Sequence, residues 1–238
     1  MLHKVLSLTP ANCIFSSDSL GRAIQGLISQ KSSEKTIVDA VLHPNVSTAQ
    51  RQQVLSSNEM RALIIRDCVH PARRLAIFAS LCVGSFKWEG YPRGGFSRPH
   101  LQDFLSSDSA PLLSFDAKLT CMEFILYSAF LAGSLSRDKI RDISNQGAKA
   151  YTTMGFSTNL PSFDSTTVKQ LAPAELGALV FMNHRVKPGI AHIGIYLRCA
   201  EILQIWNGYS CDCAAPESLH TLLQRTQAPF FVSLPKFS

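Results

Sequence analysis

The segment that most constrains this chain is Cys121 to Gly133, CMEFILYSAFLAG. It is apolar on almost every side, and its small residues Ser128, Ala129, Ala132 and Gly133 permit close approach, so a helix here has to be covered all round, against a sheet. It cannot cross a bilayer. A spanning helix needs about 18 or more uninterrupted apolar residues, and Glu123, Tyr127 and Ser128 break this stretch. The 238 residues are 46% hydrophobic and 17% charged, which suits one compact globular protein or two small domains and excludes disorder as the overall state.

The first hundred residues read as helices. Leu20, Ala23, Ile24, Leu27 and Ile28 repeat with helical spacing, with Ser17 or Asp18 as N-cap. Ser56 and Glu59 have capping-box spacing, and Pro71 opens an apolar run that stops at Gly84. KWEGYPRGGFSRP, residues 87–99, then concentrates Gly, Pro, aromatic and basic residues and predicts a linker or loop. In that loop Trp88, Tyr91 and Phe96 anchor the linker or cover a groove. The boundary falls near residue 105, giving a helical region, 1–105, and a second domain, 106–238.

Beyond the boundary, helical patterns at 121–133 and 136–148 give way to strands at Leu179–Met182, Ile190–Leu197 and Glu201–Trp206, the last two as a hairpin. Residues 216–225 read as a helix and 229–234 as a closing strand. Helices followed by antiparallel strands make an α+β fold.

Cys121 stands at the mouth of the apolar helix. A cysteine of ordinary pKa is only about 3% thiolate at neutral pH, but a helix N-terminus and a nearby imidazolium lower that pKa by several units. The first-turn N–H groups can also stabilise an oxyanion. The expected partner is His192 in AHIGIYL: along a strand His192, Gly194 and Tyr196 share one face, and Ile193, Ile195 and Leu197 the other. Gly194 is expected to leave the His192 face open for substrate or for the helix bearing Cys121. Gln204 or Asn207, on the next strand, can hold the imidazole tautomer.

At these residues the chain resembles the NlpC-like branch of papain-fold cysteine peptidases and amidases. Cys121 at a helix start, Leu179–Met182 as the preceding strand and His192–Leu197 as His-x-Gly-Ile-Tyr-Leu follow the family's order over residues 115–235. The resemblance implies a papain-like fold with Cys121 as nucleophile and His192 as general base and acid. The family's third polar residue falls on Gln204 instead of the usual His, and its Asp-Cys-Ser-Gly-Phe is replaced by Thr120-Cys-Met-Glu-Phe124. These departures point away from the usual cell-wall stem peptide.

The implied reaction is acyl transfer: cleavage of a peptide bond, deamidation or transfer to an amine, on a protein or peptide substrate. A peptidoglycan amidase or endopeptidase is the alternative, and a non-enzymatic binding module on a degenerate papain-like fold is the rival class. Met1 to Asn12 lacks a Sec signal pattern, and the extra helical region suggests a bacterial effector moved by a specialised secretion system into a target cell.

Seven cysteines without a dense framework suggest free thiols. Cys211 and Cys213, near Cys199 and His220, are too closely spaced for the usual zinc pair, so no metal and no cofactor are expected. The net charge of +6 does not choose a partner. Arg61, Arg66, Arg73 and Arg74 form a solvated basic face or meet an anionic partner; no nucleic-acid motif is present. His184 is expected in a surface turn at the cleft rim.

Overall fold

The computed structural model describes residues 19–88, 99–155, 162–163, 175–183, 190–198, 201–205, 213–226 and 230–236. The first five helices are α1 (Ser19–Ser29), α2 (Glu34–Val41), α3 (Thr48–Ser56), α4 (Asn58–Asp67) and α5 (Pro71–Leu81). A short strand β1 (Lys87–Trp88), helix α6 (Pro99–Leu105) and strand β2 (Lys118–Leu119) lead to the central helix α7 (Cys121–Leu131). Then come α8 (Arg137–Asn145), a 3₁₀ turn, α9 (Ala150–Thr153), β3 (Ser162–Phe163), β4 (Leu179–Asn183), β5 (Ile190–Tyr196) and β6 (Glu201–Gln204). The chain closes with β7 (Ala215–Ser218), α10 (Leu219–Thr226) and β8 (Phe230–Ser233).

The architecture is α+β. Among the described residues six strands pair in the order β3-β8-β4-β5-β6-β7, every neighbour antiparallel, and β1 and β2 form a separate parallel pair. The expected β5–β6 hairpin is present, with Ile195 opposite Leu203 and Tyr196 opposite Ile202. No described helix is long and apolar enough to cross a membrane.

Strand alternation divides the apolar residues between two clusters. Leu179, Phe181, Ile193, Ile195, Leu197 and Leu203 join α1–α8 in one large core, whereas Val180, Met182, Tyr196 and Ile202 meet Leu219 and Leu222 of α10 in a small one. Helix α7 packs on the large-core side: Met122, Phe124, Ile125, Leu126 and Ala129 have no exposed surface. The large core runs without a break across residue 105. Buried Arg137 of α8 also reaches back over it, donating to the carbonyls of Phe104 at 2.5 Å and Ser107 at 2.7 Å, with its guanidinium 4.0 Å from the Phe104 ring. At the sheet's other approach, a Cβ on Gly177, whose φ is +86°, would lie 1.7 Å from the Ala72 carbonyl oxygen, so only glycine lets α5 come this close.

Several local expectations are corrected. The N-cap of α4 is Ser57, whose hydroxyl accepts from the Met60 N–H; Ser56 completes α3, so the Ser56–Glu59 capping box does not form. Lys87 and Trp88 belong to a strand rather than a loop, while Tyr91 and Phe96 lie outside the described residues, as do Ser17 and Asp18. Pro216 and Glu217 pair with Leu203 and Ile202 as an edge strand, so α10 begins at Leu219. An edge strand tolerates proline because its outward side needs no ladder donor.

Candidate active site

Helix α7 begins in a full capping box. The Thr120 hydroxyl accepts from the Glu123 N–H at 3.2 Å, and the Glu123 carboxylate accepts from the Thr120 N–H at 2.7 Å. This is why the helix starts at Cys121. The T-x-x-E spacing was available in the sequence, where Glu123 stood only as a departure from the family pattern. The box bears on the chemistry: the Glu123 N–H is committed to Thr120 and unavailable to an oxyanion. A buried carboxylate two residues from the thiol also opposes the helix dipole that would favour thiolate.

His192 leaves β5 on the small-cluster face, opposite Met182 in the neighbouring strand and on the same side as Tyr196. It is 2% exposed. Its Nε2 lies 2.5 Å from the Gln204 Oε1, and the Gln204 Nε2 donates to the Glu217 Oε2. Burial pushes the imidazole down to about 4 from 6.5, with the bond to Gln204 working against the shift. The imidazole is therefore neutral at pH 7, which corrects the expectation of an imidazolium beside the thiol.

Gly194 does not hold open a space. A Cβ there would lie 2.4 Å from the Ile202 Cγ2, so the gap is filled from β6. The body of α7 packs on the opposite face, against Ile193 and Ile195. The start of α7 is nevertheless tied to the end of the sheet that holds His192. Strand β2 runs directly into α7, and its Lys118 pairs with Lys87. Lys87 also bridges Cys213, two residues before Ala215, which pairs with Gln204. Cys121 itself lies in the large apolar cluster, whereas His192 lies on the small-cluster face of the sheet.

The structure thus joins His192 to Gln204 and adds Glu217, hidden in the sequence because Pro216 reads as a helix start. Asn207, His184, Cys199 and Cys211 lie outside the described residues. No cluster of metal-ligating residues occurs among the described ones. Cys68, Cys82, Cys121 and Cys213 are in no disulfide. Burial pushes the Cys68 thiol up to about 11 and the Cys82 thiol up to about 12.

The arginines singled out in the sequence make contacts within the protein. Arg66 pairs with Asp67 at 2.7 Å, Arg73 lies 3.6 Å from Glu34, Arg74 donates to the Ile65 carbonyl at 3.2 Å, and Arg61 donates to the Leu55 carbonyl. No family model matches the chain, and no curated protein or solved structure matches it.

Proposed function

We propose that the protein is a papain-like cysteine hydrolase that cleaves an amide or peptide bond in a protein or peptide. Cys121 serves as nucleophile, His192 as general base and acid, and Gln204 as the residue that holds the imidazole. The observation that carries this assignment is the buried His192–Gln204 bond, which holds the imidazole as the third residue of such a triad does, with Cys121 standing as the first residue of α7.

Cys121 Sγ attacks the carbonyl carbon while its proton passes to His192. The C–N bond breaks, the proton goes to the leaving amine, and a thioester remains. Water then gives its proton to His192 as it attacks the thioester; the acid departs and Sγ recovers its hydrogen. The resting imidazole is neutral and so has a lone pair for the thiol proton, while the burial that keeps it neutral also weakens it as a base, so the step requires substrate binding to stabilise the imidazolium. A peptidoglycan stem peptide is the alternative substrate for the same chemistry.

Alkylation by iodoacetamide at pH 7 tests the assignment. Cys121 should react far faster than Cys68 and Cys82, whose thiols are held protonated by burial. His192→Ala should slow Cys121 by roughly a hundredfold with the fold retained. Labelling of Cys121 as slow as that of Cys82 overturns the assignment.

One observation favours a second reading. Cys121 and His192 are each only 2% exposed and the Gly194 space is filled, as expected of a scaffold whose Cys and His are packing residues. On that reading the protein is a binding module, and Cys121 and His192 can be replaced without loss of its cellular effect.

A further inference from the structure

Gln204 is 5% exposed and sits between two partners of different character. A glutamine amide has one acceptor end and one donor end, and either can face a histidine. A carboxylate only accepts, so the Gln204 NH₂ group is turned toward Glu217 and its Oε1 toward His192. That oxygen can only accept as well, which places the ring proton on Nε2 and leaves Nδ1 with the lone pair. The three side chains lie on one face of β5, β6 and β7, since Glu217 stands opposite Ile202 and Ile202 opposite Tyr196. The half-buried Glu217 is at the outer end of this line.

We propose that Glu217 is a positioning residue: acting through the Gln204 amide, it fixes the proton of His192 on Nε2 and so presents Nδ1 as the base toward the thiol. The tautomer assignment stands on the three-residue line alone; its consequence for Cys121 rests on the hydrolase assignment above. Without an accept-only group at 217, the Gln204 amide can turn over and offer its NH₂ to Nε2, which stabilises the other tautomer and puts the proton on Nδ1.

The test is the His192 tautomer population at pH 7, read from ring ¹⁵N shifts in histidine-labelled protein, with the signal assigned by its loss in His192→Gln. Wild type and Glu217→Asp should show the Nε2–H form. Glu217→Gln, nearly isosteric but able to donate or accept, should show a mixture, with Cys121 alkylation slowed by about tenfold, the scale on which outer-shell partners of functional imidazoles act. Glu217→Ala should give a mixture as well, and thermal unfolding confirms that each variant is folded. A pure Nε2–H signal in both Glu217→Gln and Glu217→Ala overturns the proposal, whatever Cys121 does. A Glu217-dependent tautomer in a protein whose Cys121 is as inert as Cys82 upholds the tautomer assignment and removes the hydrolase.

Discussion

The face of the sheet under α7 and the face under α10 are built from alternate residues of the same strands, yet they hold different contents. Under α7, Leu179, Phe181, Ile193, Ile195 and Leu203 merge with helices from both halves of the chain into one apolar body. On the α10 side, seven buried apolar residues among the described ones, Leu219 and Leu222 of α10 included, form a small cluster, and His192, Gln204 and Glu217 run along the same face. A buried polar line is tolerable only where each group finds a partner. The thin layer lets that line end at a half-buried carboxylate rather than deep in the core. The thick face, which includes Cys121, is almost wholly apolar, and the thin one carries the buried polar line.

That contrast can be broken first on the thick face. Phe124→Ala removes a ring with no exposed surface from the α7 core and should cost about 4 kcal/mol in urea unfolding. A loss below about 1 kcal/mol would mean that α7 is not the centre of the core.

On the thin face the largest effect is on pH dependence. An unfolded His192 takes up a proton near pH 6.5, whereas the folded one refuses it until about pH 4, so in this window the unfolded state binds more protons. Stability therefore falls as pH drops through the window, by roughly 3 kcal/mol from this residue. Unfolding of His192→Gln across the same range should lack that component; parallel curves for variant and wild type would show that His192 is not buried.

Gly194→Ala sharpens the comparison by packing a methyl against Ile202, at a cost of about 2 kcal/mol. Combining it with Ile202→Ala should cost less than the sum of the two single changes, since the second makes room for the first. Strict additivity would place the two side chains apart. The smallest expected effect is at the start of α7: Thr120→Ala deletes half of its capping box and should cost about 1 kcal/mol, with Thr120→Ser recovering most of it. Equal stabilities of all three proteins would show that the box does not hold the helix start.

Much of this was legible in residue order. Helices α1, α5 and α7 follow from their apolar periodicity and breakers, and the alternation of GIAHIGIYL with EILQ gives the β5–β6 hairpin and the shared side of His192 and Tyr196. Gln204 as the imidazole's neighbour comes from the resemblance to the NlpC-like family, with Asn207 open beside it, and the β5–β6 register is what sets Gln204 next to His192. What escaped was ambiguous locally. Ser56 and Ser57 are chemically equal as caps, and the chain selects Ser57, with φ −79° and ψ 114°, because Ser56 is still helical. Pro216 can open a helix or sit on an edge strand, and pairing with Leu203 decides.

The order of residues determined which side chains share a face, because a strand's two-residue period and a helix's 3.6-residue period are properties of the backbone alone. Only the tertiary structure decided what each face meets: α7 against Ile193 and Ile195 instead of His192, Ile202 in the space beside Gly194, and Glu217 at the end of the polar line. Local periodicity sets a direction relative to the strand itself. What packs there comes from chain segments far away in sequence, and no period within β5 encodes them.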